Sequence, residues 1–165
     1  MIRLERRGHL RIITLARSER RNALTPEMVD RLLALVTASQ GECRGLVLLG
    51  EGPTFCAGFD LALCAADAEG RTMRRLLSGL SGVVRAMRAL PAPVVVGVQG
   101  GAIAGGCALP AGADLVVADR GARLGYPVVR IGVSPAVSAS TLAGAVGTGP
   151  TRRLQLDPGL IDAAE

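Results

Sequence analysis

Aromatic side chains make up only 2% of this 165-residue chain, which has one tyrosine, two phenylalanines and no tryptophan. The bases of single-stranded nucleic acid stack on aromatic rings, so that platform is missing. Basic residues occur in scattered pairs such as Arg20–Arg21 and Arg74–Arg75 rather than in a long run, and no nucleic-acid partner is expected. His9 is the single histidine, and Cys43, Cys56, Cys64 and Cys107 form no Cys-x-x-Cys pair. No zinc pattern can be assembled from these groups, and a reduced cytoplasmic protein without a metal is the expectation. No uninterrupted apolar run approaches the roughly 20 residues needed to span a bilayer. The charged start, Met1-Ile-Arg-Leu-Glu-Arg-Arg7, leads into no signal-like apolar stretch, so neither membrane insertion nor export is expected. Gly97, Gly100, Gly101, Gly105 and Gly106 do not fall at GxGxxG spacing, and no Gly-Lys-Ser/Thr closes their run. Dinucleotide-binding and Walker-type phosphate loops are thereby excluded.

What is present points to one folded domain over residues 1–165. Hydrophobic residues reach 49% against 20% charged, the balance of a chain with a core. The formal charge of +5 favours an anionic partner such as a nucleotide-bearing ligand. The segment from His9 to Ala16 is rich in β-branched residues and reads as a strand. Thr25 as N-cap, Pro26 at the first helical position and Glu27 in the first turn begin a helix with Met28, Leu32, Leu35 and Val36 on one face, ended by Gly41. Gly45–Leu49 and Val94–Val98 read as buried strands, and Met73 to Met87 as an amphipathic helix stopped by Pro91 and Pro93. Cys107 to Gly112 is a short helical candidate with Pro110 in its first turn, while Asp114–Ala118 and Ala122–Tyr126 are further strand candidates. Strands separated by helices imply parallel βαβ units and an α/β fold. The stretch from Thr151 to Glu165 offers little apolar periodicity.

Two strand-to-turn junctions carry small residues, Ala57-Gly58 and Ala104-Gly105-Gly106. Small residues let backbone N–H groups approach a ligand closely, and two such donors converging on one oxygen stabilise an oxyanion. Five segments together carry a specific resemblance. They are Arg21-Asn-Ala-Leu24 before the Thr-Pro-Glu-Met helix start, Phe55-Cys-Ala-Gly-Phe-Asp-Leu61, Gly101-Ala-Ile-Ala-Gly-Gly106, Ala113-Asp-Leu-Val-Val-Ala118 and Arg130-Ile-Gly-Val-Ser-Pro135. In this order and spacing they resemble the signature segments of the crotonase superfamily, the enoyl-CoA hydratase/isomerase family. The resemblance implies a ββα spiral (the ClpP/crotonase fold), a coenzyme A thioester as substrate or ligand with no further cofactor, and an oxyanion hole from the backbone N–H groups of Ala57 and Gly105. It also implies coenzyme A contacts at Ala23, Leu24, Ala57 and Leu61, with Arg20 or Arg21 able to meet phosphates. Asp60 and Asp114 match positions where hydrogen-bonding roles are expected.

The chain also departs from the family pattern. Hydration of a conjugated double bond needs a base and an acid, normally paired carboxylates. The positions matching the family's two glutamates are Ala108 and Val128. Tyr126 is the nearest ionisable substitute, weighed against a packed strand residue whose hydroxyl reaches the surface. Two functions are therefore carried forward: a hydratase/isomerase relative that stabilises a thioester enolate with altered proton transfer, and a non-catalytic acyl-CoA binder or degenerate subunit. A serine hydrolase using Ser134, Ser138 or Ser140 would require His9 as base, which its position at the start of the first strand disfavours. The family normally continues through helices that cover the site and build trimers or dimers of trimers. This chain stops at Asp162-Ala-Ala-Glu165, where such a helix would start, so truncation, exposed apolar surface and self-association are expected.

Overall fold

A computed structural model describes residues 1–164. Five strands form the larger sheet: β1 (Ile2–Arg7), β2 (Leu10–Leu15), β3 (Gly45–Gly50), β4 (Val94–Val98) and β6 (Leu115–Ala118), in the order β1-β2-β3-β4-β6. β1 and β2 make an antiparallel hairpin around Gly8-His9, and every later neighbour pairs in parallel. A smaller sheet holds β5 (Gly101–Ile103), β7 (Arg123–Gly125) and β8 (Ile161–Asp162). The helices are α1 (Pro26–Thr37), α2 (Leu61–Ala65), α3 (Arg71–Arg88), α4 (Gly105–Ala108), α5 (Ala136–Val146) and α6 (Thr148–Leu156).

The core lies between the larger sheet and the α1/α3 pair. Ile13, Leu15, Leu46, Leu48, Val94 and Val96 point inward from the strands and meet Met28, Leu32, Val36, Leu76, Val83 and Met87, all at most 1% exposed. This is the alternation a strand imposes and the i, i+4 stripe a helix imposes. α1 starts as expected, with Thr25 Oγ1 accepting from Met28 N–H at 3.3 Å. It ends at Thr37, earlier than the Gly41 reading, because the buried Arg11 guanidinium donates to the Ala38 carbonyl and, at 3.2 Å, to Ser39 Oγ. A cation at that end complements the helix dipole; Gly41 instead takes a left-handed turn at φ +73°.

Three other expectations change. The charged start Ile2–Arg7, which has no strand pattern of its own, is the edge strand β1, with its Arg and Glu side chains exposed to solvent. Pro110 does not sit inside a helix that begins at Cys107. α4 starts at Gly105, and Pro110 opens a separate 3-10 turn, Pro110–Gly112, suited to a residue without an N–H. Thr148–Leu156 is helical despite its weak pattern, and where a helix start was expected Ile161 and Asp162 pair with β7. Glu165, the last residue of that expectation, lies outside the described residues. No helix among the described residues is long and apolar enough to cross a membrane.

Candidate active site

The parallel strands β3 and β4 deliver the chain to the two glycine turns on one side of the sheet. The first turn is clamped by Asn22, which is fully buried in a left-handed conformation (φ +54°). Its Nδ2 donates to the carbonyls of Glu51, Thr54 and Phe55 at 2.9, 2.8 and 3.1 Å, and its Oδ1 accepts from Arg17 N–H at 2.8 Å. A second clamp is the Arg17–Asp60 ion pair at 2.8 Å, each side chain 15% exposed, with Arg17 also donating to the Ala23 carbonyl at 3.0 Å. The Arg17 hydrogen bond holds the Asp60 carboxyl below the usual carboxylate range. Asp114 plays the analogous part beneath β4, its Oδ2 accepting from Val94 N–H at 2.8 Å. Both aspartates thus have the hydrogen-bonding roles expected of them.

Cys56 ties the first turn to the second: its N–H donates to the Gly101 carbonyl at 3.0 Å, and its carbonyl accepts from Ile103 at 2.9 Å. The two turns touch where only glycine fits. A Cβ on Gly58 (φ +93°) would lie 2.9 Å from the Ile103 carbonyl, and one on Gly106 would lie 2.3 Å from the Cys56 carbonyl. Ala104, between β5 and α4, is held at φ +52° and ψ −116°, with its N–H on the Gly125 carbonyl at 2.8 Å. Such a conformation costs a non-glycine residue on the order of 1–3 kcal/mol and marks a backbone fixed by its surroundings.

These clamps decide which amides are free. Ala57 N–H, expected to face the ligand, donates to the Arg21 carbonyl at 3.0 Å, and Leu24 N–H donates to Gly58 at 2.7 Å. Two residues after Ala57, Phe59 N–H has no acceptor among the described residues, and the same is true of Gly105 N–H. The free donor on the first turn is therefore Phe59, a residue that sequence reasoning missed. The signal was the parallel bridge between Leu24 and Phe59, which a single sequence does not display.

Phe59 and Gly105 both line a cavity of about 320 Å³. Of the residues expected at the site, Ala57, Leu61, Gly105 and Tyr126 share that wall, whereas Arg21, Ala23 and Leu24 do not. Leu24 is fully buried and Arg21 is exposed. Val128 lines the cavity, whereas Ala108 is buried and does not line it. Among the described residues that line it there is no carboxylate and no histidine; Arg130 and Tyr126 are the ionisable ones.

Tyr126 corrects two expectations. Its hydroxyl is not at the surface: the residue is 1% exposed, its hydroxyl is buried near Ser138 and Cys107, and it makes no hydrogen bond of good geometry among the described residues. Burial, reinforced by Cys107, pushes the phenol far above its usual value, so it is protonated near neutral pH. Burial likewise pushes the thiols of Cys56 and Cys107 up to about 12 and about 11. Ser134 and Ser138 reach the cavity, but Ser140 and His9 do not, so no Ser–His pair is assembled. No group of three or more His, Cys, Asp or Glu able to hold a metal occurs among the described residues.

A parallel-sheet core whose two glycine turns meet over an apolar cavity defines the crotonase-like class of α/β proteins. The comparisons agree. The family model for enoyl-CoA hydratase/isomerase matches residues 5–165. A Thermus thermophilus relative with enoyl-CoA hydratase in its name is 38% identical over 100% of this chain and 66% of its own length. Among solved structures, Pseudomonas aeruginosa AtuE superposes with a TM-score of 0.91 at 31% identity, over 99% of this chain and 65% of that one. An enoyl-CoA hydratase of Mycobacterium smegmatis gives 0.91 at 30% identity with the same coverage. The chain belongs to the enoyl-CoA hydratase/isomerase family and has its crotonase fold. It spans just under two thirds of the length of these relatives.

Proposed function

We propose that this protein binds an acyl-CoA thioester in the cavity, with the thioester carbonyl oxygen on the backbone N–H groups of Phe59 and Gly105. The observation that carries this reading is that two unpaired amides line one cavity while their neighbours Ala57, Gly58 and Leu24 are locked by hydrogen bonds. Donors held rigidly in an apolar, water-poor site interact strongly with an oxyanion and need no reorganisation as charge develops. An enolate formed on the bound thioester would be stabilised there, which is the electrostatic half of hydratase or isomerase chemistry.

For the proton-transfer half, no carboxylate is found among the described residues that line the cavity. Ala108 and Val128 cannot move a proton, and the raised phenol of Tyr126 is a poor substitute. That observation favours a second reading, a non-catalytic acyl-CoA binder, in which the donors only hold the thioester. Coenzyme A itself would lie along the first turn, with Leu61 at the cavity wall and the exposed Arg20 and Arg21 toward the phosphates. The backbone of Leu24 is already engaged on both sides, its carbonyl accepting from Asp60 N–H at 2.9 Å, so contacts there would fall to the carbonyl's second lone pair. A cytoplasmic setting, and assembly into trimers or dimers of trimers where the family's C-terminal region is present, complete the proposal.

Calorimetric titration with butyryl-CoA, with free coenzyme A as control, tests binding without assuming chemistry. Tighter binding of the thioester is expected; equal binding in a folded sample would remove the acyl site. Crotonyl-CoA then separates the two readings: hydration at an ordinary enzymatic rate would eliminate the binder.

A further inference from the structure

The direction of the Gly105 N–H is decided one residue earlier. Ala104 sits at φ +52° and ψ −116°, a backbone region that glycine enters freely and alanine does not. Its N–H donates to the Gly125 carbonyl at 2.8 Å, and its own carbonyl accepts from Cys107 N–H at 3.0 Å. The peptide joining Ala104 to Gly105 is planar and trans, so a carbonyl turned toward Cys107 turns the Gly105 N–H the opposite way. Alanine stays in such a conformation only where its surroundings hold it. One of those holds is Gly125, the last residue of β7, which lies in register with Ile103 of β5. A Cβ on Gly125 would lie 2.8 Å from the Gly159 carbonyl and 2.9 Å from Leu160 Cδ2, so the chain entering β8 lies flat against this residue. That chain is fastened at several points. Ile161 and Asp162 pair with Leu124 and Arg123, the Arg123 guanidinium donates to the Leu160 carbonyl at 3.1 Å, and Asp157 Oδ1 accepts from Gly159 N–H at 2.8 Å. Neither Gly125 nor any residue of 157–162 lines the cavity, so their influence on a ligand passes through the backbone.

We propose that residues 159–162 form a brace that aims the Gly105 N–H, acting through the Gly125 carbonyl on Ala104, and that Ala104 is a positioning residue for that donor. The inference rests on the thioester reading above, because aim matters only where the amide meets an oxygen. A hydrogen bond weakens steeply once its angle falls below about 120°, so a modest rotation of the Ala104–Gly105 peptide removes the donor from use. A donor fixed in advance needs no reorganisation when a ligand arrives, and here the fixing comes from a strand that never touches the ligand.

The test compares the dissociation constant of S-butyl-CoA, a thioether without the carbonyl oxygen, with that of butyryl-CoA, by calorimetry, alongside the melting temperature. Two aimed donors should make the thioester about tenfold tighter in the wild-type chain, and a single one about threefold. Ala104→Gly relieves the strained conformation and frees the peptide to rotate. Its ratio should fall to about three while its melting temperature is no lower than that of wild type, a combination that a merely structural role would not produce. Gly125→Ala drives residues 159 and 160 off β7 and should lower both quantities. Leu160→Ala thins the same contact without a clash and should also bring the ratio to about three. In each variant S-butyl-CoA should bind as it does to wild type, because the cavity walls are unchanged. Leu35→Ala, a core change on α1 outside this chain of contacts, should lower the melting temperature and leave the ratio near ten. A ratio near ten in Ala104→Gly or in Leu160→Ala would overturn the brace while the thioester reading stands. Equal affinities in the wild-type chain would overturn both.

Discussion

Asn22 is the residue whose loss should do most harm without touching a ligand. Replacing it with alanine removes two N–H donors shared among three carbonyls and one accepted bond, all at a fully buried side chain. A buried hydrogen bond contributes about 1 kcal/mol net, and a left-handed backbone disfavours alanine relative to asparagine by up to about 1 kcal/mol more. The expected destabilisation is about 4 kcal/mol, or a fall in melting temperature on the order of 10 °C for a domain of this size. Asn22→Asp sharpens the test because it is nearly isosteric. It keeps the acceptor toward Arg17 N–H but turns a carboxylate oxygen on the three carbonyls of Glu51, Thr54 and Phe55. The folded protein should therefore hold that carboxyl protonated, with its pKa above the unfolded value of about 3.9. Relative to wild type, this variant is least impaired below about pH 4 and loses stability as pH rises through the raised folded pKa. Urea melts at pH 4.5 and 7.5 measure both effects. A loss under about 1 kcal/mol for Asn22→Ala, or an Asp variant as stable as wild type at pH 7.5, would refute the clamp.

Gly58→Ala should cost about 2–4 kcal/mol and abolish acyl-CoA binding, because its Cβ meets the Ile103 carbonyl at 2.9 Å at a positive φ; a stable variant with normal binding, by melting and calorimetry, would contradict the interlocked turns. Asp60 carries a depressed pKa through its hydrogen bond to Arg17, so its stabilising contribution is present above the unfolded value near 3.9 and is lost as pH falls through the folded value. Asp60→Asn should consequently lose stability at pH 7 and show a shallower acid limb than wild type in thermal melts; parallel pH profiles would count against the pair.

The fold was legible wherever local chemistry and tertiary packing agree. Thr25-Pro26 starts α1 because a hydroxyl cap and a residue without an N–H suit those positions in any context. Val94–Val98 reads as a central strand because a short all-apolar run bounded by proline and glycine fits a strand covered by helices. Where tertiary contacts decide, the sequence was mute. α1 stops at Thr37 because Arg11, on a different element, meets its end. β1 exists because its backbone pairs with β2, while its side chains remain in water. The site divides in the same way. Gly105 could be named only through the resemblance of Gly101-Ala-Ile-Ala-Gly-Gly106 to a family segment, since glycine turns after strands are common. Phe59 could not, since an amide is free only after its neighbours have been spent, and Ala57 is spent on Arg21.

The central claim is that Phe59 and Gly105 hold a thioester carbonyl, and changing the ligand tests it without disturbing the protein. The measurement is the ratio of dissociation constants for butyryl-CoA and S-butyl-CoA, a thioether of equal chain length that lacks the carbonyl oxygen. Two backbone donors on one oxygen should make the thioester about tenfold tighter. Equal affinities would mean that the two amides face no carbonyl, and would contradict the account.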